Sequence, residues 1–99
     1  MRLTHALVQL VSTLMAAPRE QHWGYELGQK TGLAHGGLYH RLGAMLDEGW
    51  LTDGWESAEE SQGRPARRYY CLTKKGKEEM AAILAKAKND RRFYTMLPD

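Results

Sequence analysis

The hydrophobic period of the chain changes from helical to extended at Gly49, and this change constrains the fold more than any other feature. Before it, apolar side chains recur at the spacing of one helical face. These are Leu38, Leu42, Met45 and Leu46. After it, residues 50–56 and 66–72 are rich in aromatic residues and fit short strands. The polar segment 57–65 contains Gly and Pro, which is typical of a turn. A β-hairpin with a long tip is therefore predicted directly after a helix.

Two helices are predicted upstream of this unit. The first runs from about residue 3 to residue 17, with Thr4 as its candidate N-cap. Pro18 marks its end, because the residue before a proline is pushed out of the helical region. The second is short, from 24 to 31, and stops at Gly32 in the C-terminal position that glycine favours.

The remaining elements are a third helix over 33–49, a short strand at 22–23 and a last helix. Thr73 caps this last helix, which runs from about residue 74 to the low nineties. One face of this helix is predicted to carry Met80, Ile83, Leu84, Ala87, Arg91 and Tyr94. The order of helix, short helix, helix, hairpin and long helix is the layout of a winged helix-turn-helix. The predicted fold class is thus mainly α with a small β-hairpin.

The length of 99 residues is that of one domain. Fractions of 42% hydrophobic and 26% charged residues are ordinary for a globular protein. Cys71 is the one cysteine, so no internal disulfide can form, and a reducing compartment is indicated. Residues 6–17 loosely mimic a signal peptide, but Gln9, Ser12 and Thr13 interrupt the apolar run. That segment predicts an amphipathic helix, and no membrane partner is expected.

Charge is segregated along the hairpin. Residues 42–63 contain six carboxylates and no Lys or Arg, whereas residues 64–77 contain six bases and no acid. Such a basic block attracts phosphate. The alternative is that its arginines pair with the acidic neighbouring strand. The position of Arg64, Arg67 and Arg68 directly after the turn favours DNA, because a wing tip is where a winged helix reaches the phosphate backbone.

The N-terminal turn of the third helix predicts a second contact with DNA. Its free backbone N–H groups and the positive end of its dipole favour phosphate. Arg41 can donate two hydrogen bonds to guanine, with His35 and His40 as further donors, although His40 can equally be a plain surface residue. Tyr39 either donates to phosphate or packs half-buried. The predicted DNA-binding residues are His35, Gly36, Gly37, Tyr39, His40, Arg41, Arg64, Arg67 and Arg68.

The sequence carries no pattern for catalysis, a metal or a cofactor. His35 and His40 are five residues apart, so the i, i+4 spacing that places two histidines on one helical face is missing. Cys71 alone cannot build a structural zinc site, and it is expected to be a small buried or half-buried thiol. Nucleophile-elbow and phosphate-loop motifs are absent. We therefore expect no enzyme, no metal site and no cofactor.

Three stretches resemble the PadR-like family of winged-helix transcriptional regulators. The sequence G-Y-E-L at 24–27 is similar to the family's second helix. G-L-Y-H-R-L at 37–42, with L-D-E-G-W-L at 46–51, is similar to its recognition helix. Trp55-Glu56 and G-R-P-A-R-R-Y-Y-C-L-T-K-K-G at 63–76 are similar to its wing and the start of its fourth helix, and this is the most specific stretch. The resemblance spans roughly residues 4 to 85.

This resemblance implies a cytoplasmic, homodimeric regulator of transcription, usually a repressor, that binds double-stranded DNA. Some members bind small aromatic effectors, so an effector is a further implied partner. Ala34-His35-Gly36 stands where members often carry Ser-Pro-Gly or a similar sequence, which makes unusual base contacts an expectation. Because the chain stops soon after the fourth helix, it resembles the short members of the family.

Dimerisation is predicted through the last helix, and the family resemblance implies that the first helix takes part as well. An apolar stripe on one long helix of a small domain would lie in water unless a symmetric partner covered it. The predicted dimer residues are Leu3, Leu7, Leu10, Met80, Ile83, Leu84 and Ala87. The domain 1–99 then divides into a DNA-binding core over about 1–73 and a dimerisation helix over about 74–95. The operator is expected to be an inverted repeat, and an effector site would lie at the dimer interface.

Two other functions stay open. A winged-helix protein-interaction module would not bind DNA, and its distinguishing feature would be an acid-dominated wing and recognition helix. A small-molecule sensor would line a dimer pocket with aromatic side chains, most of which are expected to pack in the core or between subunits instead. The aromatic residues available for this are Trp23, Trp50, Trp55, Phe93 and Tyr94.

Overall fold

The structure, a computed structural model, describes residues 1–97 and builds five helices and three strands within them. The helices are α1 His5–Met15, α2 Gly24–Thr31, α3 His35–Asp47, α4 Ala58–Ser61 and α5 Lys74–Lys88. The strands are β1 His22–Trp23, β2 Leu51–Trp55 and β3 Arg68–Leu72, and a short 3₁₀ helix, Arg91–Phe93, follows α5. The mainly helical architecture with a small antiparallel sheet is that of a winged helix, as predicted.

Local capping determines where the helices begin and end. The hydroxyl of Thr4 accepts a hydrogen bond from the backbone N–H of Leu7 at 3.1 Å, which confirms it as the N-cap of α1. Gly32 adopts φ 70° at the end of α2, a left-handed conformation that favours glycine. Helix α1 is shorter than the predicted 3–17, because Thr4 is already its N-cap and Ala16 its C-cap.

The sheet joins the hairpin to the start of α2. Strand β3 lies in the centre, with β2 antiparallel on one side and β1 antiparallel on the other. Trp55 is paired with Arg68 near the tip, and His22 is paired with Tyr70. The predicted hairpin and the short strand at 22–23 are both confirmed. Residues 51–72, which comprise β2, the tip and β3, are called the wing below.

The tip of the wing contains a helix that the sequence analysis assigned to a plain turn. Helix α4 is closed by a capping box, in which Ser57 accepts from the N–H of Glu60 at 3.1 Å and the Glu60 carboxylate accepts from the N–H of Ser57 at 3.0 Å. Gln62 and Gly63 then reverse the chain with φ values of 50° and 85°. The Ser-x-x-Glu spacing was the local signal for this turn of helix.

The core lies between α1, α3, α5 and the inner face of the sheet. The apolar side chains of α1 pack against those of α5 within a single chain. Met80 and Ala87 have no exposed surface and Ile83 is 9% exposed. The premise that this stripe lies in water without a partner is therefore wrong.

The segment after α5 explains part of this burial. Helix α5 ends at Lys88, earlier than the predicted low nineties, and the chain turns back through the 3₁₀ helix. Phe93 becomes fully buried and packs with Val8 and Ala87. Tyr94, which the helical stripe included, is 57% exposed.

Candidate nucleic-acid interface

The N-terminus of α3 has no side-chain cap. Ala34 occupies the N-cap position with extended backbone, and its methyl group cannot accept a hydrogen bond. Within residues 1–97, no side chain caps the first backbone N–H groups of this 13-residue helix. These groups remain available as donors at the positive end of the helix dipole. His35, a predicted DNA contact, lies exposed at this end.

Tyr39 lies half-buried on the side of α3 that faces α2 and the wing. Its ring centroid is 4.5 Å from that of His35. A Cβ at Gly24 would overlap the Tyr39 hydroxyl, so the glycine allows α2 and α3 to approach each other here. Tyr39 is therefore a packing residue whose hydroxyl lies at the edge of the interface.

Two glycines lie at the surface of α3. His40 and Gly36 are exposed, and a Cβ added at Gly36 or Gly43 would meet no atom within 4 Å. Glycine inside an exposed helix costs roughly 0.5–1 kcal/mol relative to alanine. This face presents backbone to its surroundings at the expense of helix stability.

Arg41 does not extend from the helix. Its guanidinium donates to the carbonyl of Gly37 at 3.0 Å, one turn back along α3. It lines a hollow of about 240 Å³ that also includes Met1, Arg2 and Thr4. A contact between Arg41 and a base requires this side chain to leave the carbonyl of Gly37.

In the wing, two of the predicted DNA-binding arginines share one carboxylate. Arg64 donates to both oxygens of Glu56, at 2.6 and 2.9 Å, and Arg67 donates through its backbone N–H at 2.9 Å and its Nε at 3.2 Å. The Glu56 side chain is 4% exposed, whereas those of Arg64 and Arg67 are 41% and 54% exposed. These hydrogen bonds hold the pKa of Glu56 well below its usual range. One carboxylate facing two guanidinium groups leaves one net positive charge.

Arg68 pairs with an acid of the neighbouring strand. Its Nε donates to Asp53 at 2.8 Å, and its Nη2 donates to the same carboxylate oxygen. The hydrogen bond with Asp53 raises the pKa of Arg68. The ion pairs between the basic and the acidic strand, which were the alternative to DNA binding, are thus present. The paired guanidinium groups nevertheless remain partly exposed.

A cleft of about 350 Å³ separates α3 from the wing. It brings together three of the predicted DNA-binding residues, Tyr39, Arg67 and Arg68, with residues that were not predicted to bind DNA. Trp55 and Tyr25 are 62% and 71% exposed, so they are not core residues. The lining comprises Trp23, Gly24, Tyr25, Tyr39, Trp55, Arg67 and Arg68, called the aromatic cleft below.

Some of these residues carried a signal in the sequence. Trp55-Glu56 was recognised as a motif of the wing, although no role followed from it. Trp50 and Phe93 are buried, in agreement with the expected packing role, whereas Trp55 is not. The burial of an aromatic side chain depends on strand register, which the aromatic run itself does not determine.

The predicted dimer residues divide into two groups. Leu7, Leu10, Met80, Ile83 and Ala87 are buried within one chain. Leu3 and Leu84 are only half-buried. Leu84 lines a hollow of about 230 Å³ between α1, α5 and the C-terminal segment, together with Met15 and Leu97. Any dimer contact on this side is therefore centred on Leu84 and its half-buried neighbours.

Two further features are absent from residues 1–97. No cluster of three or more His, Cys, Asp and Glu side chains that could hold a metal ion occurs within residues 1–97. Among the helices of that range, none has the length and apolar character needed to cross a membrane. Cys71 is a half-buried free thiol.

The fold is shared with several solved structures. A PadR family transcription regulator from Clostridium difficile R20291 is 21% identical, with a TM-score of 0.73 over 96% of this chain and 100% of that one. A PadR family regulator from Eggerthella lenta DSM 2243 is 22% identical, with a TM-score of 0.65 over 82% and 73%. The circadian clock associated protein Pex from Anabaena is 21% identical, with a TM-score of 0.65 over 94% and 84%. At these levels of sequence identity, the similarity establishes a shared fold and nothing further.

The family follows from the sequence. A search of curated proteins finds no match. The sequence model of the transcriptional regulator PadR-like family matches residues 14–82, which include all of α2, α3 and the wing. Its members are regulators of transcription and not enzymes, in agreement with the sequence analysis. With more than half of its length inside this match, the chain belongs to the PadR-like family of transcriptional regulators.

Proposed function

We propose that this regulator binds double-stranded DNA sequence-specifically, as a homodimer on an inverted-repeat operator, and represses transcription in the cytoplasm. The observation that carries the proposal is the aromatic cleft, which places Tyr39 of α3 beside Arg67 and Arg68 of the wing. The helix expected to enter the major groove and the arginines expected to reach the backbone thus share one face. Release by a small aromatic effector is part of the same proposal.

The two elements have different tasks. Helix α3 enters the major groove by its uncapped N-terminus, with Arg41 reading a base after leaving the Gly37 carbonyl and with His35 and His40 as further donors. Arg64 and Arg67 meet phosphate or the adjacent minor groove. Because they share Glu56, they carry one net positive charge to the backbone without breaking the ion pair.

The test is DNA affinity as a function of salt concentration, for the wild type, Arg41→Ala and Arg67→Ala. The DNA is the region upstream of the protein's own coding sequence, with random duplex for comparison. Arg41→Ala should weaken binding to the operator by about 1–3 kcal/mol and leave random DNA unaffected. Arg67→Ala should weaken both and lower the salt slope by about one per subunit.

The matched control is Arg92→Gln. Arg92 is also exposed and paired with a carboxylate, Asp90, but it lies at the other end of the chain beside Phe93. It should leave the affinity and the salt slope unchanged. If Arg67→Ala alters the sequence preference and Arg41→Ala does not, the two elements have exchanged tasks.

The protein-interaction module remains a second candidate because of the charge of the wing. Its residues 51–72 hold four carboxylates and three arginines, and Glu59 and Glu60 lie exposed on α4. In this second function the carboxylates of α4, rather than Arg64 and Arg67, would make the contact, and they suit a basic partner surface. Absence of DNA binding by the wild type even at low salt would favour this function over the regulator of an operator.

A further inference from the structure

A second basic surface lies beside α3, on the flank that faces away from the wing. It is the hollow of about 240 Å³ between the start of α1 and α3 in which Arg41 lies. Two guanidinium groups and one imidazole line it, and no carboxylate within residues 1–97 does so. The lining comprises Met1, Arg2, Thr4, Leu7, His40, Arg41 and Ala44, called the basic hollow below.

Helix geometry separates the basic hollow from the aromatic cleft. Tyr39 lines the cleft, and Arg41 lines the hollow. Two positions along an α-helix are about 200° apart around its axis, so these two side chains leave opposite flanks of α3. His40 lies between them on the exposed face of the helix. The wing therefore lies on one flank of α3, and the start of α1 lies on the other.

A helix that enters the major groove has a phosphate backbone on each flank. With its side chains such a helix is about 10–12 Å in diameter, and the groove is about 12 Å wide. The two backbones that border the groove therefore pass close to the helix on either side. The arginines of the wing serve the backbone on their own flank. On the opposite flank, the basic hollow is in position to meet the second backbone.

Arg2 carries its positive charge without an acid beside it. Its side chain is exposed, and no ion pair within residues 1–97 includes it, whereas each arginine of the wing is paired with a carboxylate. When Arg41 leaves the hollow to read a base, as proposed above, Arg2 is the guanidinium that remains on this flank. An exposed guanidinium without a carboxylate partner suits phosphate, to which it can donate two parallel hydrogen bonds.

The start of α1 holds the backbone of Arg2 in place. The neighbouring side chain of Leu3 packs against the buried cluster that contains Phe93. The hydroxyl of Thr4 caps α1 by accepting from the backbone N–H of Leu7. Because Arg2 precedes two anchored residues, its backbone loses little conformational entropy when its side chain binds a partner.

We propose that Arg2 binds a DNA backbone phosphate on the flank of α3 opposite the wing, which makes the start of α1 a third part of the DNA interface. The duplex is then held from both sides of α3. The contact strengthens binding without reading sequence, because every nucleotide carries the same phosphate. This inference rests on the proposed function, since it adds a contact to the same interface.

The experiment measures the DNA affinity of the full chain as a function of salt concentration, on the upstream region and on random duplex. Arg2→Gln should weaken binding to both DNAs about eightfold per lost contact at about 0.1 M salt, and lower the salt slope by about one per contact. Arg2→Lys keeps the charge and should retain most of the affinity and the slope. A loss on one DNA only, or an unchanged slope, would overturn the proposal.

Arg19→Gln is the matched control. Arg19 is also exposed and forms no ion pair within residues 1–97, but it follows the opposite end of α1. The variant removes the same charge and should leave the affinity and the salt slope unchanged. Equal losses in Arg2→Gln and Arg19→Gln would reduce the effect to net charge and contradict a contact at Arg2. Urea denaturation verifies that both variants keep the stability of the wild type.

Neutral methylphosphonates locate the contact on the DNA. They replace one phosphate at a time, and affinity is measured for the wild type, Arg2→Gln and Arg67→Ala. At the phosphate that Arg2 binds, the replacement should weaken the wild type without weakening Arg2→Gln further. This phosphate should differ from those that behave in the same way for Arg67→Ala. Identical phosphates for both residues would place Arg2 on the flank of the wing and refute the proposal.

The outcomes separate this inference from the proposed function. If the wild type and Arg67→Ala behave as proposed but Arg2→Gln behaves like Arg19→Gln, only the contact at Arg2 fails. If the wild type binds no DNA even at low salt, the proposed function fails, and the contact at Arg2 fails with it.

Discussion

The backbone N–H and the guanidinium of Arg67 both donate to the carboxylate of Glu56, 11 positions earlier in the chain, across the tip of the wing. Arg64 donates to the same carboxylate from within the tip. A single nearly buried negative charge therefore closes the loop that contains α4. The ion pairs that hold the tip together require an ionised Glu56.

Acid should loosen the wing first. The pKa of Glu56 is lower in the folded chain than its ordinary value of 4.5, so its contribution to stability is complete above that value. The contribution is lost as the pH falls below 4.5 toward the pKa of the folded state. The measurement is the urea midpoint between pH 7 and pH 3. Glu56→Gln should lower the midpoint at pH 7 and flatten its decline in acid.

Glu59→Gln is the control for this prediction. Glu59 is an exposed carboxylate on α4, three residues from Glu56, and it has no ion pair within the described residues. It should leave both the midpoint and the pH profile nearly unchanged. A Glu56→Gln chain with the acid sensitivity of the wild type would show that other carboxylates control unfolding.

Gly76→Ala should destabilise the fold strongly. A Cβ at this position would overlap the backbone carbonyl of Trp50, in the turn between α3 and β2, against which α5 begins. Backbone cannot move aside as a flexible side chain can, so we expect a loss of at least about 1–3 kcal/mol in the free energy of unfolding. Urea denaturation monitored by circular dichroism measures it. Stability equal to the wild type would mean that α5 can shift freely.

Gly43→Ala should have the opposite effect on stability. Gly43 lies inside α3, and an added Cβ there meets no atom within 4 Å. Alanine should raise the free energy of unfolding by about 0.5–1 kcal/mol. If α3 lies in the major groove, the same variant should bind DNA more weakly although it is more stable. Improved stability with unchanged DNA affinity would place Gly43 outside the contact.

Leu84→Lys should separate the subunits of the predicted homodimer without unfolding them. Leu84 is half-buried and lines the hollow between α1 and α5, whereas Ile83 beside it is nearly buried. Loss of one apolar side chain per subunit, about 2 kcal/mol, should raise the dimer Kd more than tenfold. Sedimentation equilibrium measures the Kd, and circular dichroism verifies the fold.

Two further variants complete this test. Ala82→Lys adds the same charge to the exposed opposite side of α5 and should leave the dimer intact. Ile83→Asp should unfold the chain, because it places a charge in the core. A wild type that is monomeric at high micromolar concentration would contradict the predicted dimer.

Local chemistry made much of the fold predictable. Thr4 as a cap, Gly32 at the end of α2 and the change of period at Gly49 act within a few residues, so the sequence alone determines them. The family motif of the wing is likewise continuous along the chain. Helix α4, which was not predicted, also has a local signal, because Ser57 and Glu60 form its capping box.

The tertiary structure decided what the same residues contact. The apolar side chains of α5 had to be covered by something. Whether α1 and Phe93 or a second subunit covers them depends on how the chain packs. The sequence contained the acids and the arginines of the wing, but strand register assigns Arg68 to Asp53, and the folded tip assigns two arginines to Glu56. The aromatic cleft joins β1, α2, α3 and the wing. Contacts between residues far apart in sequence leave no periodic pattern in the sequence. They form only when the folded chain brings those residues together.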